Sequence, residues 1–155
     1  MRIVIILILC VLSATFGYSA EISSDFTPDQ NQLIVQVSGV VCSFCAYGLI
    51  KKTEALDYID ASQFKNGIHV DIDKQKITLA IDPQKKIDLK KLDEEIRRGG
   101  YEPIAVYLNL SGVVNEVDNK MILKHIITNQ LFELGDFSGE KPIEGSHHNI
   151  IAMYC

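Results

Sequence analysis

The sequence has no excess of positive charge, which narrows the kinds of partner that it can bind. Its 155 residues include 15 Lys and Arg against 20 Asp and Glu, for a formal net charge of −5 at pH 7. No basic stripe runs along the chain, and a mildly acidic protein without one is a poor binder of nucleic acid. We therefore expect no nucleic-acid partner, whereas the acidity modestly favours cations.

The sequence also lacks the recognisable signatures of enzymes. It contains no nucleophile motif, no glycine loop that would cradle a phosphate, and no dinucleotide fingerprint. Its acidic residues are scattered, and no pair of them is placed for acid–base catalysis. Internal repeats and low-complexity tracts are missing too. We expect a protein that is not an enzyme and that folds, at this length, as one domain or two small ones.

The only long hydrophobic run lies at the start of the chain. A short basic end, Met1–Arg2, precedes an apolar stretch that gives way to small residues before Ala20. A run this short and this early is typical of a secretory signal peptide rather than a transmembrane helix. We assign 1–20 to a signal peptide, with an uncleaved anchor as the alternative, and expect export across the inner membrane into the periplasm. Cys10 would leave with this segment.

After a polar lead-in over 21–30, the spacing of apolar residues predicts alternating strands and helices. Asp88 is the predicted N-cap of the second helix, and Gly99-Gly100 is its predicted end. The order βαββαβ is that of a ferredoxin-like sandwich, in which two helices cover one face of an antiparallel sheet. The predicted strands are Leu33–Val37, Gly67–Ile72, Ile77–Ile81 and Tyr101–Val106, and the predicted helices begin at Cys45 and Leu89.

The last third of the chain has a different pattern, of short apolar runs without a helix signal. They predict a small β-rich module over 108–155, either an added sheet or a small barrel. Residues 121–127 could instead form a helical turn or two, since a short apolar run does not define its own period. The predicted fold class is therefore α+β: a ferredoxin-like sandwich over 31–107 followed by a small all-β extension. The runs are Val106–Val114, Met121–Ile127, Gln130–Leu134 and His147–Cys155.

Two cysteines, Cys42 and Cys45, lie between the first predicted strand and the first predicted helix. The N-terminus of a helix favours thiolates, because unpaired N–H groups and the positive end of the helix dipole face them. Two thiolates at this spacing can bind one soft metal ion, such as Cu(I) or Hg(II), or close into a disulfide. Zinc normally takes four ligands, and a disulfide here would close too small a loop to stabilise the fold much.

The predicted export, the βαββαβ order and the cysteine pair resemble the heavy-metal-associated domain family over 31–107. That family includes copper chaperones, the N-terminal modules of metal-pumping ATPases and the periplasmic mercury-binding protein, and its motif is Gly-Met-x-Cys-x-x-Cys. Here the motif reads Gly39-Val-Val-Cys-Ser-Phe-Cys45, with Val40 in place of the methionine. A Gly-Tyr step before the last strand, Gly100-Tyr101, is a second shared feature.

This resemblance implies that Cys42 and Cys45 are the metal ligands and that they hold one soft metal ion, Cu(I) or Hg(II). It implies that a membrane metal transporter or another thiol protein receives the ion. Val40 would fill part of the space under the loop that the family's methionine fills. Tyr101 would lie near the metal loop, the alternative being a tyrosine packed at the sheet edge. Phe44 would either contact a partner or fold back onto the domain.

Two other functions use the same cysteine pair. A CxxC pair at a helix N-terminus could belong to a thiol–disulfide redox protein, although no tryptophan precedes it and the strand order is not that of a thioredoxin. An interaction module with an inert disulfide is the third reading.

The remaining His, Met and Cys residues do not predict a second metal site. On one terminal strand, His147 would lie some 20 Å from Met153 at about 3.3 Å per residue, too far to share an ion. We expect surface histidines there, with Cys155 as a third thiol or a partner in an intermolecular disulfide. The other residues considered are His148 beside this strand's start and the isolated His69 and His125, which we expect at the surface or packed.

Overall fold

The computed structural model describes residues 24–134 and 145–154, and the predicted signal peptide and Cys155 lie outside them. Within the described residues no helix is both long enough and apolar enough to span a membrane. The elements confirm the predicted βαββαβ order and the strands of the last third. They are β1 Gln32–Ser38, α1 Ser43–Thr53, β2 Ile68–Asp71, β3 Lys76–Ala80, α2 Leu89–Arg98, β4 Glu102–Val117, β5 Lys120–His125, β6 Leu131–Leu134 and β7 His147–Tyr154, after a 3-10 turn at Ser24–Phe26.

The first four strands form a ferredoxin-like part of the sheet, in which the neighbour order is β2-β3-β1-β4 and all pairs are antiparallel. Alternate side chains of β1 point to the face that α1 and α2 cover, because successive residues of a strand face opposite sides. Leu33 of β1, Leu49 of α1 and Leu92 of α2 all belong to the main core and are fully buried. Asp88 caps α2 as predicted, since its carboxylate accepts a 2.9 Å hydrogen bond from the N–H of Lys91.

The described part of the last third of the chain extends this same sheet, so it forms neither a small barrel nor a separate sheet. β4 runs unbroken from Glu102 to Val117, and the predicted boundary between 107 and 108 therefore falls inside one strand. The reason is that alternate residues of β4 stay buried well past that boundary, at Val106, Leu108, Leu110 and Val114, which leaves no turn to begin a new module.

β4 is long enough to pair with three other strands. Its residue Leu108 pairs with Leu33 of β1 and Ala152 of β7, and Gly112 pairs with both His125 of β5 and His148 of β7. Each residue of a strand can pair with one strand on either side. Because β7 occupies one side of both Leu108 and Gly112, β1 and β5 lie one after the other along the other side of β4. β7 pairs along the opposite edge, and β6 extends the sheet beyond β5. Residues 120–125 are thus a strand and not a helical turn.

The face of the sheet opposite the helices has its own small apolar cluster. Ile34 of β1 lies there with Ala105 and Tyr107 of β4. Phe26, from the predicted lead-in, packs on the Tyr107 ring with 5.3 Å between ring centroids. Asp25 next to it forms an ion pair with Lys74 of the β2–β3 turn. The residues just before β1 therefore contact the same hairpin that lies beside the cysteines.

Candidate metal-binding site

The loop between β1 and α1 is shaped by its glycine and ends at Cys42, whereas Cys45 lies in the first turn of α1. Gly39 has φ +95°, in the left-handed region that glycine adopts without a steric penalty, and the chain turns there from β1 toward α1. Cys42 is the N-cap of α1 in an extended conformation, with φ −155° and ψ 162°. Its Sγ accepts a 3.2 Å hydrogen bond from the N–H of Cys45. This bond holds the first cysteine against the first turn of the helix that carries the second.

Both thiols are free, and Cys42 is exposed while Cys45 is half-buried. A hydrogen bond from the Cys45 thiol, aided by the backbone N–H groups of Cys45 and Phe44, lowers the pKa of the Cys42 thiol below its ordinary value. Each of these donors stabilises the thiolate more than the thiol. Because the thiolate is both the nucleophile and the metal ligand, this shift favours either chemistry at Cys42.

The residue that replaces the family's methionine is buried under the loop. Val40 is fully buried and belongs to the main core, with Val37 and Leu49 among its members. Its neighbour Val41, by contrast, is 81% exposed. The valine side chain therefore anchors the loop to the core one residue before the chain becomes exposed, which agrees with the role expected for it.

Tyr101 lies beside the cysteine loop, as the resemblance implies. Its hydroxyl donates a 2.8 Å hydrogen bond to the carbonyl oxygen of Cys45. The ring also lies within reach of Gly39, where an added Cβ would come 3.8 Å from Tyr101 Cδ1. Burial raises the pKa of Tyr101, and the charges of Cys45 and Cys42 add to the effect. The tyrosine thus stays protonated and donates to the main chain of the second cysteine.

The cysteines lie on an apolar, solvent-exposed surface. Phe44, between them, is 82% exposed and Tyr47, one turn further along α1, is 57% exposed. Of the two readings of Phe44, the structure shows the side chain facing solvent and not folded back onto the domain. Lys51 lies beside this surface, with its Nζ 5.5 Å from the centre of the Tyr47 ring.

Sequence reasoning missed one residue beside the site, Gln75. It lies in the stretch 73–76, which the sequence identifies only as a polar turn. Its side-chain Oε1 accepts a 3.1 Å hydrogen bond from the N–H of Val40, two residues before Cys42. No local signal could have found this contact, because 35 residues separate the two partners.

Two of the histidines considered as ligands, His69 and His125, contact residues other than the cysteines. Among the residues that the structure describes, no group of three or more His, Cys, Asp or Glu side chains could hold a metal ion. His69 is exposed and lies beside the Phe64 ring, and His125 contacts Thr128. Pairing with β4 separates the two ends of β7, where His147 lies opposite Val113 and Met153 opposite Tyr107.

The fold and the site together define an α+β protein with a ferredoxin-like sheet and an exposed CxxC pair at the start of its first helix. No protein-family model matches the chain, and no curated protein matches it. A solved structure of the CopZ metallochaperone is similar to it, with 18% identity over 47% of this chain and 98% of that one and a TM-score of 0.40. A copper binding domain from HMA7, a P-type ATPase, is similar with 20% identity over 47% of this chain and 89% of that one and a TM-score of 0.38.

Proposed function

We propose that the protein binds one soft, thiophilic metal ion, Cu(I) or Hg(II), between the thiolates of Cys42 and Cys45. The observation that carries the proposal is the pairing of two free thiols at the start of α1, joined by the hydrogen bond from the Cys45 N–H to Cys42 Sγ. Thiolates are the ligands that soft ions prefer, and such ions accept two-coordinate binding. With no third ligand beside them in the described part of the chain, two thiolates suit these ions better than zinc.

The exposure of the site supports transfer as well as storage. Cys42 faces solvent, and the side chains around it on the loop, Val41 and Phe44, are exposed too. An ion held there by two sulfurs is open to attack by a thiolate of another protein, so it can pass on by ligand exchange. The protein would capture the ion after export to the periplasm and deliver it to a membrane metal transporter or another thiol protein, without acting as an enzyme.

A thiol–disulfide redox function is the second candidate, and one observation favours it. The lowered pKa of the exposed Cys42 thiol is what a nucleophilic cysteine needs to attack a disulfide. The two functions differ in what the reduced pair does. A metal site binds one ion stoichiometrically, whereas a redox pair exchanges disulfides with a substrate. A pair that does neither would belong to the third reading, an inert disulfide in an interaction module.

The test is native mass spectrometry of the reduced protein, offered Cu(I), Hg(II) and Zn(II) in turn without oxygen. We expect one tightly held Cu(I) or Hg(II) and no comparably held Zn(II). The bound ion should disappear in both Cys42→Ser and Cys45→Ser, because either substitution leaves one sulfur ligand. Cys155→Ser is the matched control, since it removes a thiol of the same chain and should keep the ion.

Absence of any bound metal in the reduced parent protein would contradict the proposal. If the parent then loses two hydrogen atoms on mild oxidation, and Cys42→Ser does not, the pair is a disulfide instead. If that disulfide exchanges with a reduced test peptide, the protein is a redox protein; if it does not, the disulfide is inert.

A further inference from the structure

The side-chain amide of Gln75 pairs with both main-chain polar groups of one residue in the cysteine loop. Its Oε1 accepts from the N–H of Val40 at 3.1 Å, and its Nε2 donates to the carbonyl oxygen of the same residue. A primary amide presents one acceptor and two donors, so it can form the same pair of bonds that a neighbouring strand would form. Gln75 thus extends the sheet by one pairing beyond the end of β1.

Gln75 forms further hydrogen bonds besides the two to Val40. Its second side-chain donor bond goes to the carbonyl oxygen of Ile72, at 2.7 Å. Its own carbonyl oxygen accepts a 2.9 Å bond from the N–H of Val37 in β1. Gln75 has φ +50°, a left-handed conformation that non-glycine residues adopt at a cost and keep only when their surroundings impose it. That conformation directs the half-buried side chain toward the loop.

Two contacts therefore hold the main chain of this segment, one before Cys42 and one at Cys45. Gln75 fixes the main chain of Val40 before Cys42, and Tyr101 fixes the carbonyl group of Cys45 after it. A loop whose geometry is set before the ion arrives loses less conformational entropy on binding it. A contact to the loop main chain can raise metal affinity in this way without touching the metal.

We propose that Gln75 is a positioning residue of the thiol site, which orders Cys42 and Cys45 for the metal through its paired hydrogen bonds to Val40. The proposal rests on the proposed function, since it names the residue that prepares that same site. A purely structural role is the alternative: Gln75 would then stabilise the β2–β3 turn and contribute to folding, with no effect on how the folded protein binds metal.

The chain contains a matched control for this residue. The side-chain amide of Gln130, in the turn between β5 and β6, makes the same pair of bonds to one residue elsewhere. It accepts from the N–H of Ile87 at 2.8 Å and donates to the carbonyl oxygen of Ile87 at 2.7 Å. Gln130 is half-buried like Gln75, but it holds the segment before α2 rather than the cysteine loop. Removing either amide costs the fold a pair of hydrogen bonds to one residue, and removing that of Gln75 also costs its bond to Ile72.

The experiment compares Gln75→Leu and Gln75→Glu with Gln130→Leu and Gln130→Glu in the full chain. The Glu variants keep the size of the side chain and its acceptor but lose the donor, in case the Leu variants fold poorly. Affinity for Cu(I) is measured by competition with a chromophoric chelator, well below the midpoint of thermal unfolding. We expect the Gln75 variants to raise the Kd about 10-fold or more, as loss of supporting contacts to metal ligands does. The Gln130 variants should stay within about twofold of the parent, since distant sites act independently.

Amide hydrogen exchange of the metal-free protein is the second readout. In Gln75→Leu we expect faster exchange at the N–H of Val40 and also at the N–H of Cys45, which bonds to Cys42 Sγ. In Gln130→Leu the faster exchange should appear at Ile87 instead. An unchanged Kd in the Gln75 variants overturns the proposal, and so does an unchanged exchange rate at the Cys45 N–H.

The two readouts keep this inference apart from the proposed function. If the parent binds neither Cu(I) nor Hg(II), the proposed function fails, and the exchange rate at Cys45 still shows whether Gln75 orders the thiol pair. If the parent binds Cu(I) and only the Gln75 variants lose affinity, the proposed function and the positioning role of Gln75 are both supported. If the parent binds Cu(I) and all four variants bind as the parent does, the proposed function stands and Gln75 is structural.

Discussion

The hydroxyl group of Tyr101 donates a 2.8 Å hydrogen bond to the carbonyl oxygen of Cys45. This bond joins the start of β4 to the first turn of α1, across 56 residues of sequence. The carbonyl groups in the first turn of a helix already accept bonds from within the helix, so this one accepts a second donor through its other lone pair. The hydroxyl therefore adds a contact from outside the helix to the residue that carries the second thiol.

Substituting Tyr101 by Phe should lower the free energy of unfolding by about 1 kcal/mol, the usual net contribution of one hydrogen bond. The ring stays, so the loss comes from the hydroxyl and not from packing. Urea denaturation followed by circular dichroism measures it. Tyr47→Phe is the control, because that ring is 57% exposed and its hydroxyl is expected to contribute nothing measurable. Equal stabilities of Tyr101→Phe and the parent protein would show that the bond to Cys45 does not stabilise the fold.

Cys42 has a structural role that can be separated from metal binding. Its Sγ caps α1 by accepting from the N–H of Cys45, and a serine hydroxyl can accept the same bond. We expect the free energy of unfolding of Cys42→Ser to exceed that of Cys42→Ala by about 0.5–2 kcal/mol, the usual contribution of an N-cap. Both variants should lose the metal.

The measurement for Cys42 is urea denaturation of the two metal-free variants side by side, with native mass spectrometry for bound Cu(I). If the Ser and Ala variants are equally stable, the sulfur does not act as a cap. If Cys42→Ser keeps the metal with the affinity of the parent, then Cys42 is not a ligand, and the proposed function is wrong.

Gly112 allows β5 to approach β4 closely. A Cβ added at this position would lie 2.3 Å from the carbonyl oxygen of Lys124, a backbone atom that cannot rotate away. Gly112→Ala should therefore lower the free energy of unfolding by about 1–3 kcal/mol, the range for overpacking. Gly48→Ala in α1 is the contrasting variant, because its Cβ would meet only ordinary contacts and alanine favours a helix.

Thermal unfolding of these two glycine variants measures the difference. We expect the midpoint of Gly112→Ala to fall and that of Gly48→Ala to stay level or rise. If Gly112→Ala unfolds at the same midpoint temperature as the parent protein, β4 and β5 lie further apart in solution than in this structure.

His125 should make stability depend on pH. Burial lowers the pKa of its imidazole below the ordinary value of 6.5, and its Nδ1 accepts a 3.3 Å bond from the N–H of Thr128. Because the folded state binds the proton less well than the unfolded state, the His125 contribution is complete above about pH 6.5. It is lost as the pH falls from there through the lower pKa of the folded protein.

Urea denaturation at pH 7.5 and at successive pH values down to 5 tests this dependence. His125→Gln should flatten the decline in the free energy of unfolding over that interval, since glutamine does not titrate. His69→Gln is the control, because it removes an exposed imidazole elsewhere in the protein by the same substitution. The same slope in His125→Gln and the parent would exclude His125 as its cause.

The local features of this fold follow from the sequence, because each depends on residues within a few positions of one another. The alternation of Leu33, Val35 and Val37 predicts β1, and the structure buries all three. Asp88 predicts the start of α2 through a bond that spans three residues. The cysteine pair predicts its own place at the start of α1 for the same reason, since a glycine turn and a helical pattern adjoin it in the chain.

Only the tertiary structure decided how the last third of the chain is used and what holds the cysteine loop. Whether a strand starts a new module or extends an old one depends on its partners, and β4 pairs with β1 and β7 at long sequence separations. The bonds from Gln75 to Val40 and from Tyr101 to Cys45 likewise join residues 35 and 56 positions apart. Hydrophobic period and capping rules describe short stretches of chain, so they cannot predict a contact that exists only after the sheet has brought distant turns together.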